Sequence, residues 1–305
     1  MLASRSFYAM GTTVWVMARA RQVEWARVRA QHLFEAWESR LSRFRPQSEL
    51  SRLNRAGGHP VRVSPELFEA VFQALRAAHA TQGLFDPTLG RQLVQLGYDR
   101  SWETVPLEQA GPTPRATPPS HHWQAVAMSA ETGIIQLPPG VWLDLGGIGK
   151  GMAVDAAVAD LKDAGVDPVM VNAGGDLAVA GHPPGGSAWP IAIGDESLAG
   201  VNLEAGALAT SGLARRQWVR GGIRYHHLLD PATGMPVHNA LFRVTVAAPT
   251  AVQADVAAKA VLISGPEAGK HFLRQAGLAG EMEWKDGTVE VVGSWPEDRR
   301  TGGLA

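Results

Sequence analysis

The sequence predicts an α+β fold rather than a doubly wound parallel sheet, and three observations carry that expectation. Stretches rich in β-formers come in hairpin-like pairs, helical stretches lie among them without strict strand–helix alternation, and no repeat or low-complexity tract stands out. The 305 residues, 45% of them hydrophobic, suffice for one large domain or two intimately packed subdomains around a substantial core.

Taken in order, residues 6–18 alternate around Met10-Gly11-Thr12 and predict a strand. Residues 22–41 place Val23, Trp25, Val28, Leu33, Phe34, Trp37 and Leu41 at helical spacing. Pro46 breaks the polar segment that follows, and Ser48-Glu49 is suited to start a short helix before Leu53-Asn54. In SPELFEAVFQALRAAHATQG, Ser64 is good N-cap chemistry, Pro65 suits the first helical position and Gly83 supplies a stop. Five prolines between Val105 and Ser120 predict an exposed connection, placed where the chain would pass between subdomains. WQAVAMS and GIIQLP read as a hairpin, GVWLDLGG as a further strand, and KGMAVDAAVADLKDAG as a helix. VDPVMVNAGGDLAVAG, WPIAIGD and FRVTVAAP are predicted strands. Helices are expected over 251–263 and 266–276, and a last hairpin around EMEWKDGTVEVV.

The bulk chemistry excludes more than it selects. A net charge of -1, from 28 basic and 29 acidic residues, gives no global field towards nucleic acid or an anionic membrane, so a ligand must be recognised locally. The absence of cysteine removes disulfides, thiolate zinc sites and a Cys nucleophile together. Arg5, Ser6, Gly11, Thr12 and Thr13 interrupt any signal-type apolar run at the N-terminus, and no membrane span is read elsewhere. The compartment expected from the sequence as it stands is therefore cytoplasmic; a periplasmic or membrane-associated location would fit a shortened chain.

Five segments carry chemistry. In LDLGGIGKGMAVD, residues 143–155, a strand-like stretch enters a glycine-rich turn and a helix, which would aim backbone N–H groups and Lys150 at an anion. It is not a Walker A loop, because Gly151 follows the lysine, nor a dinucleotide fingerprint, because Met152 stands where the last glycine or alanine belongs. The bland account is a tight turn. YHHLLDPATGMP, residues 225–236, combines a strong turn signal with His226 and His227. Those histidines either pack around the turn or supply a base for a hydroxyl nucleophile. ALATSG at 207–212, VNAGGDL at 171–177 and GLFDPTLG at 83–90 read equally as ordinary turns or as ligand-facing ones.

In this order, and together with LSRFRPQSELSRLN at 41–54 and ADVAAK at 254–259, the segments resemble the ApbE family, FAD:protein FMN transferases, over nearly the whole chain. The resemblance implies a single domain of two subdomains holding FAD in a cleft between them, and transfer of the FMN half of FAD to a Ser or Thr hydroxyl of an acceptor protein with release of AMP. It implies that Met10, Gly11, Thr12, Phe44, Asn54, Asp86, Lys150, Asp155, Gly174, Gly175, Ser211 and Gly212 serve FAD binding. It assigns His227 as the catalytic histidine, and the Gly149 carbonyl and Asp255 as ligands of Mg²⁺. A non-catalytic FAD-binding protein and an FAD diphosphatase giving FMN and AMP are the competing functions. A hydrolase metal site built on His121, His122, His226, His227 and His238 lacks the necessary spacing.

One departure matters. The family has Thr four residues after the metal-binding aspartate, whereas this chain has Lys259, one helical turn from Asp255 on the same face. Three accounts stay open at this stage: a surface ion pair, an ammonium that stands in for the cation as part of the catalytic machinery, or loss of catalysis with FAD binding kept.

Overall fold

The computed structural model describes residues 1–114, 121–194 and 200–296, and its contacts divide the chain into two compact units. In chain order the elements begin with β1 (Leu2–Ala9), β2 (Thr12–Arg19), α1 (Val23–Leu41), α2 (Glu49–Arg55), β3 (Val61–Arg62), α3 (Pro65–Ala80) and α4 (Gly90–Gln95). Then come β4 (Glu108–Gln109), β5 (Ala127–Ser129), β6 (Ile134–Gln136), α5 (Gly149–Asp163), β7 (Val169–Ala173), β8 (Asp176–Ala180) and β9 (Trp189–Ala192). Next are β10 (Gly200–Leu203), β11 (Gly206–Gly212), β12 (Gln217–Arg220), β13 (Ile223–His226), β14 (Leu229–Asp230) and β15 (Met235–Pro236). The chain closes with β16 (Leu241–Ala248), α6 (Ala251–Ser264), α7 (Pro266–Ala276), β17 (Ala279–Trp284) and β18 (Val289–Val292). Helices and largely antiparallel sheets are interspersed, as the α+β expectation requires.

The first unit comprises Met1–Glu35, Lys150–Ser211 and the described part of Ala240–Ala305. Its frame is an eight-stranded sheet in the order β1-β2-β7-β8-β11-β16-β17-β18. Period-2 alternation sets its faces: Val14, Val16, Ala18, Val169, Val171 and Ala173 are all buried, while Thr13 and Trp15 face outward. α6 packs on β8 and β16. On a separate cluster, Leu177, Val179 and Leu208 of the sheet meet Trp189 and Ile191 of β9 and Val201 and Leu203 of β10.

The second unit comprises Ala36–Gly149 and Gly212–Asn239. It carries α2, α3 and α4 with three small sheets, ordered β3-β6-β5, β13-β12-β4 and β14-β15. Its core gathers Leu89, Leu93, Leu96, Tyr98, Val105, Trp218, Tyr225 and Leu229. Trp218 stacks on Tyr225 at 6.2 Å and donates its indole N–H to the Leu96 carbonyl at 2.8 Å, so a large apolar ring is buried with its polar atom satisfied.

Cap chemistry placed two helices correctly: Ser48 accepts from Ser51 N, and Ser64 accepts from Leu67 N with Pro65 at the first helical position. α3 ends sooner than Gly83, at Thr81, whose amide and hydroxyl both bond the Ala77 carbonyl. Two expectations need correction. Residues 6–18 are not one strand but the halves of a hairpin, because Met10 (φ 52) and Gly11 (φ 70) both adopt the left-handed conformation of a two-residue turn between paired Ala9 and Thr12. GVWLDLGG is not a strand beyond one bridge, Leu89 to Trp142. Its backbone bonds go elsewhere: Gly90 N to Trp142 O, Asp144 N to Pro87 O, and both Leu143 groups to the Asn54 side chain.

The Pro-rich stretch is described to residue 114. That part is mostly exposed, contributes β4 and belongs wholly to the second unit; residues 115–120, like Asp195 at the end of the predicted strand WPIAIGD, lie outside the described residues. Among the described residues no helix is long and apolar enough to cross a membrane.

Candidate active site

At one end of the first unit's sheet, three motifs that are far apart in sequence meet. The Met10-Gly11 turn joins β1 to β2, and the Gly174-Gly175 turn joins β7 to β8. Because Val14 pairs with Ala173, the two turns are neighbours. Gly174 (φ 66) lies so near Thr12 that any Cβ there would run into the Thr12 hydroxyl, and a Cβ on Gly175 (φ 105) would stand 3.7 Å from Thr210 of β11. Thr210 also bonds Thr245 of β16 at 3.0 Å, with Ser211 buried next to it. Met10 is the one non-glycine residue in these turns, and a left-handed conformation costs such a residue roughly 1–2 kcal/mol. Gly174→Ala is expected to lose at least about 1–2 kcal/mol of stability, the conformational penalty with the clash against Thr12 added to it, read as a lower urea midpoint.

Charge is concentrated behind these turns. Asp176, the first residue of β8, is buried and ion-paired with the ammonium of Lys150 in the first turn of α5. Burial pushes the Asp176 carboxyl above its ordinary value, the negative charge of Asp255 pushes the same way, and Lys150 and Lys259 oppose both. Asp255 and Lys259, one turn apart on α6, form a second ion pair, in which the Asp255 side chain is 1% exposed and that of Lys259 10%. This removes the surface-ion-pair account. α6 is buried from Ala254 through Leu262, as an Ala- and Val-rich sequence without a polar face should be. Asp155 has a structural duty: its two carboxylate oxygens accept from Ala251 N at 2.8 Å and Val252 N at 3.0 Å, fastening the start of α6 to α5. Its pKa is raised by burial and held back by those two amides. Gly151 permits the same close approach, since a Cβ would meet the Ala251 backbone at 3.0 Å.

The remaining predicted residues belong to the second unit. The Phe44 ring lies 5.3 Å from Tyr98, with the Arg43 guanidinium 4.1 Å above it. Arg43 in turn pairs with Asp144, whose other oxygen accepts from Gly146 N at 2.8 Å and shapes the glycine-rich turn leading to Gly149. Asn54 gives both ends of its amide to Leu143, 2.9 and 2.8 Å, which makes it a buried brace of that turn. Asp86 accepts from Thr88 N and Oγ1 through one oxygen, and its other oxygen is buried without a hydrogen-bond partner. Burial raises its pKa. His227 follows β13 and precedes β14, on a segment fixed from both sides. Asp230 accepts from Ala232 N and Gly234 N, and His226 Nε2 bonds the Val237 carbonyl at 3.1 Å. Gly212 ends β11.

Three polar residues of this framework, Arg43, Asp144 and Asp176, are not among the predicted site residues; Asp144 and Asp176 adjoin glycine turns, which is a signal in the sequence, whereas Arg43 carries none. For the proposed Mg²⁺ ligands the chemistry is unfavourable. Magnesium prefers near-octahedral oxygen coordination, whereas Asp255 already faces an ammonium. The Lys259 ammonium takes one Asp255 oxygen and so competes with a divalent ion for that carboxylate.

Comparison with known proteins gives one consistent result. The sequence model of the ApbE family matches residues 10–282. A protein of Klebsiella pneumoniae named FAD:protein FMN transferase is 31% identical over 276 residues, 87% of this chain and 79% of that one. One of the same name from Vibrio cholerae is 32% identical over 247 residues, 78% and 72% of the two chains. The crystal structure of an ApbE protein from Thermotoga maritima superposes with a TM-score of 0.83 at 26% identity, covering 96% of this chain and 97% of the other. A mutant of the flavin transferase ApbE from Vibrio cholerae superposes with a TM-score of 0.80 at 26% identity, covering 96% and 98%.

Proposed function

Because this chain belongs to the ApbE family, we propose that it is an FAD:protein FMN transferase, moving the FMN half of FAD onto another protein. The observation that supports this best is the gathering of the Met10-Gly11, Gly174-Gly175 and Thr210-Ser211 segments at one sheet end beside Lys150. Glycine turns let backbone approach a ligand closely, and a helix that starts beside a lysine favours an anion such as a diphosphate.

The acceptor is a Ser or Thr hydroxyl. Its oxygen attacks the FMN-side phosphorus of FAD, a new phosphoester bond forms, the bond from that phosphorus to the bridging oxygen breaks, and AMP departs with that oxygen. The hydroxyl proton passes to the neutral imidazole of His227. Lys150 and the glycine-rich turn screen the charge on the diphosphate, an electrostatic contribution of the kind that dominates phosphoryl chemistry. Phe44, within its Arg43–Tyr98 stack, offers a flat apolar ring suited to an aromatic part of FAD. Asn54 and Asp155 hold the backbone around the site in place through their bonds to Leu143 and to Ala251-Val252.

The test is incubation with FAD and a candidate acceptor, followed by denaturing electrophoresis. Flavin fluorescence that stays with the acceptor band is the expected result. FMN and AMP appearing without an acceptor would instead establish a diphosphatase, and FAD bound with neither product a flavin-binding protein.

A further inference from the structure

The acidic groups behind the glycine turns are already committed. Asp176 is paired with Lys150, Asp155 holds two amides of α6, and one oxygen of Asp255 faces the Lys259 ammonium. Asp176 and Asp255 are thus each matched by an ammonium and Asp155 by two amides, and Asp255 Oδ2, itself buried, is the one oxygen of the Asp255–Lys259 pair without a hydrogen-bond partner. A divalent cation entering here would bring two more positive charges against two resident ammoniums. Of the Asp255 carboxylate only Oδ2 is left for it, since Lys259 holds the other oxygen. It would also have to separate Lys259 from Asp255 in a region where a buried charge without its partner is strongly unfavourable.

We propose that Lys259 is a resident cation: its ammonium occupies the place and supplies the charge that a divalent metal would supply beside Asp255, so the diphosphate of FAD is bound without metal. The proposal rests on the flavin-transferase reading. An ammonium carries three N–H donors. Asp255 engages one of them, and the others are suited to phosphate oxygens. The cation is covalently attached to a helix buried from Ala254 to Leu262, so a chelator cannot remove it.

The full chain, stripped with EDTA, is titrated with FAD by calorimetry, with EDTA in one arm and MgCl₂ in the other, and Mn²⁺ binding is followed by electron paramagnetic resonance in the presence of FAD. Equal FAD affinity in both arms and no stoichiometric Mn²⁺ are expected. Lys259→Thr leaves a carboxylate and a hydroxyl oxygen one turn apart. In this variant FAD should bind about ten- to hundredfold more weakly in EDTA, the loss of a charge-assisted hydrogen bond, and Mg²⁺ should restore the affinity. FAD binding by the parent chain that requires Mg²⁺, or Mn²⁺ held stoichiometrically with FAD, overturns the proposal alone, and needs no variant to fold. No FAD binding in either arm overturns the flavin reading and the proposal with it.

Discussion

Replacing His227 by Ala is expected to lower flavin transfer by about 10²- to 10⁴-fold, the usual worth of general-base help, while FAD affinity stays close to that of the parent. The expectation comes from where the residue is held. The Asp230 turn and the His226 contact with Val237 secure the 226–237 segment at both ends, and Tyr225 and Leu229 anchor it in the second unit's core. Alanine at 227 removes an imidazole without removing any of those anchors. Single-turnover transfer, measured beside FAD titration, separates the two effects. An alanine variant that flavinylates the acceptor at the parental rate would reassign the base.

Lys150→Met is expected to cause the largest loss of stability, about 3–5 kcal/mol, the cost of leaving one member of a buried ion pair without its partner. Asp176 is the member left behind, buried at the start of β8. Its carboxyl already sits above the usual value through burial, and Lys150 is one of the charges opposing that rise, so the variant's Asp176 must rise further. The sign follows from linkage: a carboxyl whose pKa is higher folded than unfolded binds its proton more tightly in the folded state. The deficit of the variant is therefore greatest at neutral pH and shrinks as the medium is acidified towards the unfolded-state value. Urea unfolding at neutral and mildly acidic pH measures it. A deficit that does not change with pH would show that Asp176 is not the cause, whereas partial recovery in Lys150→Met/Asp176→Asn would show that it is.

Much of this protein is legible locally. Ser48 and Ser64 announced α2 and α3 because a cap bonds an amide three residues on, and the Ala- and Val-rich run of 251–263 announced α6 by composition alone. The motif order located the glycine turns and the histidine, but not every contact of the motif residues was legible: the side chains of Asn54 and Asp155 bond the backbone of Leu143 and of Ala251-Val252, segments far away in the sequence. GVWLDLGG has the composition of a strand, yet its hydrogen bonds are taken by a side chain and two loops.

By itself the sequence determined the fold class, the starts of α2 and α3, the family and the substitution at Lys259, because periodicity, capping and motif order are properties of neighbouring residues, whereas the short uncapped α4 left no such local signal. Only the tertiary structure decided that Lys259 is buried against Asp255, that Lys150 belongs to Asp176 26 residues away, and that Arg43 belongs to Asp144 101 residues away. The physical reason is that a charge's worth depends on its desolvation and its nearest opposite charge. Packing sets both, through segments that share no local pattern.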